Sequence, residues 1–181
     1  ESIMTMQAYA ALSLAAIFNV YSAQYFNVSF KTYNVTRFMD TKLRIWTYNS
    51  TQIYGLHECP VDDMETINQN YVYFNRSYYL RHNKSVVTTR PQGTFEREYP
   101  SLMAVGGRDT RADHTESLAF ASDSYQCGVF RISYRGDNID WREIRFTDKN
   151  KTGKPEQSCL DHFETKQNGT LIYFDYCKDL Q

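Results

Sequence analysis

Residues 116–146 read ESLAFASDSYQCGVFRISYRGDNIDWREIRF. Three segments in this stretch, 116–121, 126–134 and 139–146, are rich in aromatic and β-branched residues and are separated by turn-forming Ser, Asp, Gly and Asn, the pattern of consecutive antiparallel strands. Period-two alternation assigns their faces. In 126–134, Gly128, Phe130, Ile132 and Tyr134 point one way and Cys127, Val129, Arg131 and Ser133 the other, and the first set is read as interior. In 139–146, Trp141, Glu143 and Arg145 share one face opposite Arg142, Ile144 and Phe146, and alternation alone lets either face look inward.

The same texture recurs in both directions, at 42–48, 70–80, 85–89, 101–105 and 170–176. The total is eight short strands, which suits an all-β sandwich or an up-and-down barrel. Residues 62–68, with their acidic side chains, read as loop. Pro155 can open a helix, after which Cys159, Leu160, Phe163 and Gln167 fall at helical spacing until Asn168-Gly169 stops it. A short C-terminal helix followed by a last strand is expected.

Composition sets the limits of the reading. The chain has 181 residues, 20 Lys+Arg against 21 Asp+Glu, 15% aromatic residues and a mean hydropathy of -0.60. That length fits one domain. Near charge balance removes the electrostatic footprint of nucleic-acid or anionic-membrane binding, so neither is expected as a partner. The aromatic fraction, with only 4 Pro and 8 Gly, marks a chain that buries a core.

Residues 7–23, QAYAALSLAAIFNVYSA, carry no charge. An apolar run followed by small residues is read as a secretory signal peptide, residues 1–23, cleaved after Ser22 or Ala23 and too short to span a bilayer. Its apolar residues surround a helix instead of forming a stripe, which argues against an amphipathic core helix. Residues 24–181 then form the mature domain, with 20 charges of each sign. Four cysteines in the mature part, Cys59, Cys127, Cys159 and Cys177, suit two disulfides in an oxidising compartment, with three connectivities open. Seven of the eleven asparagines, Asn27, Asn34, Asn49, Asn75, Asn83, Asn150 and Asn168, begin N-x-S/T sequons where chance supplies roughly two. A secreted, extracellular glycoprotein is expected.

The chain resembles the tick salivary lipocalins. The resemblance is carried, in order, by RIWTYN at 44–49, ECPVDDM at 58–64, YVYFNRSYYL at 71–80, Met103, ESLAFASDSYQCGVFRI at 116–132, WREIR at 141–145, PEQSCLDHF at 155–163 and IYFDYC ending at Cys177. The lipocalin G-x-W signature is absent around Trp46. The resemblance implies a lipocalin-like eight-stranded antiparallel barrel, closed at one end, with a short C-terminal helix, an internal ligand cavity and two disulfides, Cys59–Cys177 and Cys127–Cys159.

Family members that scavenge histamine or serotonin share a motif of Cys, Asp and an aliphatic residue, then Glu, Leu and an aromatic, then Cys. Here it reads Cys127-Gly128-Val129, Glu143-Ile144-Arg145, Cys159. Gly128 replaces the Asp and Arg145 the aromatic, so of the carboxylate pair only Glu143 carries over. Facing inward together, Glu143 and Arg145 pair with each other, or Arg145 offers its charge to an anionic, fatty-acid-derived mediator. The alternative is an Arg145 on the outer face. The expected lining is Glu143, Arg145, Trp141, Phe130 and Trp46.

The implied function is a secreted binder that sequesters a small host mediator, a biogenic amine such as histamine or an eicosanoid, and so suppresses inflammation or haemostasis. It acts as a monomer without a cofactor. The rival is a protein-interaction barrel acting through its loops, on complement or on an integrin through Arg135-Gly136-Asp137. That tripeptide is also ordinary hairpin-turn chemistry. No catalytic motif is present and no metal site is expected. His114 with Glu116, and His162 with Glu164, are read as surface pairs.

Overall fold

The computed structural model describes residues 31–52, 57–134, 136, 139–164 and 169–180. The expected signal peptide, residues 1–23, lies outside them, as do Asn27, Asn168, Gln167, Arg135 and Asp137.

The three strands read first are adjacent: β7 (His114–Ala121) pairs antiparallel with β8 (Cys127–Tyr134), and β8 with β9 (Asp140–Thr147). The ladder continues through β1 (Ile45–Ser50), β2 (His57–Ile67), β3 (Tyr71–Leu80), β4 (Val86–Thr89), β5 (Pro91–Phe95) and β6 (Leu102–Gly107). Pairing of β1 with β9, Ile45 opposite Thr147 and Ser50 opposite Glu143, closes it. Closure leaves no free edge between the first and last strands. β4 and β5 lie on the upper and lower halves of β3 and act as one interrupted strand. The interruption falls at Pro91, the first residue of β5, a position where a missing N–H is tolerated. The result is the expected eight-stranded antiparallel barrel.

The structure differs from the sequence reading at three places. Residues 62–68 are not loop, because β2 runs for eleven residues through Asp62 and Asp63. Asp62 breaks the apolar pattern since its partner, Arg76, is another strand's inward side chain. The final strand is only β10 (Thr170–Leu171), and the chain then turns through a 3-10 helix, Asp175–Asp179, where Cys177 is tied to Cys59. Third, a short helix α1 (Val35–Met39) precedes the barrel, its N-terminus capped by Asn34 Oδ1 accepting from the Arg37 N–H at 2.9 Å. The C-terminal helix α2 (Gln157–Glu164) forms as expected, with Cys159 and Phe163 buried.

Two cores result. Inside the barrel, Phe74, Met103, Leu118, Phe130 and Ile132 pack with Val35, Phe38 and Met39 of α1, which floors the barrel at the end opposite the β8–β9 turn. Outside, Val129, Ile144 and Phe146 are covered by Phe163 of α2 and by Tyr173 and Leu180 of the tail. Both disulfides, Cys59–Cys177 and Cys127–Cys159, lie in this outer layer. β8 thus buries both faces, Phe130 and Ile132 inward and Cys127 and Val129 outward, as alternation assigned them.

Candidate functional site

β9 presents Trp141, Glu143 and Arg145 to the interior, since Ile144 and Phe146 are claimed by the outer core. Arg145 has 3% of its side-chain surface exposed and Glu143 13%. A guanidinium so placed needs counter-charges. Glu143 Oε2 accepts from Arg145 Nε at 2.9 Å and Nη2 at 2.7 Å, while Arg145 Nη1 donates to Glu116 Oε2 of β7.

Glu116, fully buried, also binds Arg76 of β3, whose Nη1 donates to Oε1 at 2.8 Å. Arg76 in turn grips Asp62 of β2 in a fork, Nε to Oδ1 at 2.7 Å and Nη2 to Oδ2 at 2.8 Å. Asp62, Arg76, Glu116, Arg145 and Glu143 therefore form one charged layer across the barrel. Below it, the Phe130 ring lies 4.7 Å from the Arg145 guanidinium and the Phe74 ring 5.1 Å from that of Arg76.

Burial alone would raise the Glu116 pKa, but the guanidiniums of Arg145 and Arg76 outweigh it and hold the carboxyl well below its ordinary range. Burial likewise opposes the charge on Arg145, and the Glu116 and Glu143 carboxylates override it and raise its pKa. Arg145 is consequently spent on internal pairing. Of the two roles expected for Arg145, the one these contacts form is the pairing with Glu143.

Above the layer the lining turns aromatic. Trp141 donates from Nε1 to Glu143 Oε1 at 2.7 Å. Its ring stacks on Tyr134, centroids 5.6 Å apart, and Tyr134 stacks on His114 at 4.9 Å. His57 stacks on Tyr78 at 4.0 Å, and burial lowers the His57 pKa against the opposing charge of Glu143. Beside Tyr134 and His114, where β4 gives way to β5, lies a cleft of about 300 Å³ bounded by Arg76, Arg90, Asp113, His114 and Tyr134.

Of the expected lining, Glu143, Arg145, Trp141 and Phe130 meet inside the barrel. Trp46 does not. It packs edge-on to Tyr173 in the outer core, because Ile45 and Thr47 take the inward positions on either side of it. His114 and Glu116 are not surface residues, being 8% and 0% exposed. His162 is half-buried and stacks on Phe120 at 4.5 Å, while Glu164 is exposed. Asp62, Arg76, Glu116 and His114 were not singled out as site residues, and the signal that marks them is a charge recurring at the inward phase of a strand. Gly136, at φ +91°, sits in the β8–β9 turn as a glycine should, and its tripeptide neighbours fall outside the described residues. Among the described residues no three His, Cys, Asp or Glu side chains converge as a metal site, and no helix is long and apolar enough to cross a membrane.

The closed eight-stranded barrel with a helix on its wall and a lined mouth is the lipocalin fold. Solved structures agree. The chain is similar to AM182 in its serotonin complex (TM-score 0.60, 15% identity, covering 82% of this chain and 94% of that one). It is similar also to Japanin from Rhipicephalus appendiculatus bound to cholesterol (TM-score 0.53, 12% identity, 73% and 93%) and to lipocalin 12 from rat epididymis (TM-score 0.56, 12% identity, 82% and 89%). No protein-family model matches the chain and no curated protein matches it in sequence.

Proposed function

We propose that the protein is a secreted lipocalin that sequesters a small organic cation, a biogenic amine, at the mouth of its barrel, thereby lowering the free mediator available to a host. The charge count of the buried layer carries this reading. Three carboxylates, Asp62, Glu116 and Glu143, face two guanidiniums, Arg76 and Arg145. A low-dielectric site with one carboxylate in excess favours a cation and disfavours a carboxylate ligand. Trp141, stacked by Tyr134 on one side only, supplies its other face for an aromatic amine to stack on or an ammonium to rest on. The resemblance to tick salivary lipocalins, and the serotonin complex of AM182, support the same ligand class.

Calorimetric titration with serotonin, histamine and a leukotriene tests this. Serotonin or histamine binds and the leukotriene does not, and Glu143→Gln weakens the amine about 10- to 100-fold, as expected for loss of one charged hydrogen bond. Binding of the leukotriene alone would transfer the reading to the eicosanoid class.

As a secreted glycoprotein, the chain carries glycans first at Asn34, Asn83 and Asn150, which are exposed. Asn49 and Asn75 are half-buried, with their side-chain oxygens enclosed and unbonded. Peptide mapping after enzymatic deglycosylation in heavy-oxygen water is expected to label the exposed three and to leave Asn49 and Asn75 unlabelled.

A further inference from the structure

His114 stands between two carboxylates. Its Nδ1 meets Asp113 Oδ1, and its Nε2 lies 3.2 Å from Glu116 Oε1. A carboxylate only accepts, and a neutral imidazole has a single N–H, so both contacts are satisfied together only by the imidazolium. With His114 neutral the buried layer holds three negative charges against two positive ones, and with His114 protonated it balances.

We propose that His114 is the resident counter-cation of the barrel interior, and that a bound organic ammonium displaces its proton, so that the site exchanges one cation for another. This rests on the amine reading given above. The groups facing His114 agree with the exchange. On its own strand and the preceding turn are Glu116 and Asp113; Tyr134 stacks on it from β8; Arg76 from β3 and Arg90 from the β4–β5 junction share its cleft. Glu143 and Arg145 of β9 and Asp62 of β2 connect to it through Glu116 and Arg76. Burial favours the neutral ring, but the hydrogen bond and charge of Glu116, with Asp113, raise its pKa against the opposition of Arg76. The Tyr134 ring alone separates His114 from Trp141. Two unit charges about 10 Å apart at an effective dielectric of about 20 change a protonation constant roughly tenfold.

The test is a ¹H–¹³C NMR titration of the histidines in the ligand-free protein, in Glu143→Gln and at saturating serotonin, with His114 assigned by its loss in His114→Gln. In the free protein His114 titrates above 6.5. Removing the Glu143 charge, or adding serotonin, lowers its protonation constant about tenfold. About half a pH unit below the free-protein midpoint, where a tenfold shift has its largest effect, calorimetry in buffers of different ionisation enthalpy shows about half a proton released per serotonin bound, and His114→Gln abolishes that release. Serotonin binding that leaves His114 unmoved overturns the exchange and leaves the amine reading standing. Failure of every amine to bind overturns both. A His114 midpoint at or below 6.5 in the free protein overturns its role as counter-cation whatever binds.

Discussion

Arg145→Met unfolds at a temperature about 10 °C below the wild type. The substitution keeps most of the side-chain volume, so the loss is chiefly one of charge. It leaves Asp62, Glu116 and Glu143 with Arg76 as their only guanidinium, in a layer where Glu116 is fully buried. Breaking a buried pair from one side costs about 3–5 kcal/mol, and about 2–4 °C per kcal/mol applies to a domain of this size. The pH dependence gives the effect its signature. In the wild type the depressed Glu116 pKa contributes stability that is present above 4.5 and is lost as pH falls through the lower folded value. In Arg145→Met the carboxylates lose that support, so acid that weakens the wild type narrows the gap between the two proteins. Combining Arg145→Met with Glu116→Gln costs less than the sum of the single changes, because the second removes the charge that the first strands. Thermal melts of the wild type, the two single variants and the double variant, from pH 8 down through the acid range below 4.5, measure all of this, and a difference that does not vary with pH would assign the loss to packing.

Removing the Cys59–Cys177 bridge by paired serine substitution costs about 5 kcal/mol, more than the roughly 4 kcal/mol expected for the Cys127–Cys159 bridge. The two close loops of 118 and 32 residues, and the chain-entropy model scales with the logarithm of loop length. The longer bridge also anchors the tail that bears Tyr173 and Leu180 against Trp46 and Phe146. Its loss therefore shifts Trp46 emission to the red before global unfolding. Denaturant melts of the two variants rank the bridges, and a larger loss from the Cys127–Cys159 pair would place the controlling strain in the native state.

Strand positions were largely legible because apolar residues repeat with period two, and β8 was assigned face by face from that pattern alone. The reading failed where the inward phase carried charge. Asp62 in β2 and Glu116 in β7 look like solvent-facing residues to any hydrophobicity argument, and His114 looked like half of a surface pair. Each is inward because its partner arrives from a strand that alternation cannot identify. The altered amine motif illustrates the same limit. Gly128 pairs across the ladder with Arg145, and a Cβ at Gly128 would lie 2.7 Å from Leu118 Cδ1 and 3.1 Å from the Phe38 ring. The position that holds a carboxylate in the motif is here filled by the floor, and the interior's carboxylates come from β2, β7 and β9 instead.

By itself, the sequence determined most of the strands, β2 and β5 excepted, the C-terminal helix and the inward set of β8, since these depend on local alternation, on turn chemistry and on Pro155. The disulfide pairing followed from resemblance. Only the tertiary structure decided which face of β9 looks inward, and that Asp62, Arg76, Glu116 and Arg145 share one layer. Barrel closure joins β1 to β9 and brings those four side chains, up to 83 residues apart in the chain, within ion-pair distance of their partners. Coulomb energy in a buried layer depends on that separation in space, which no local pattern encodes.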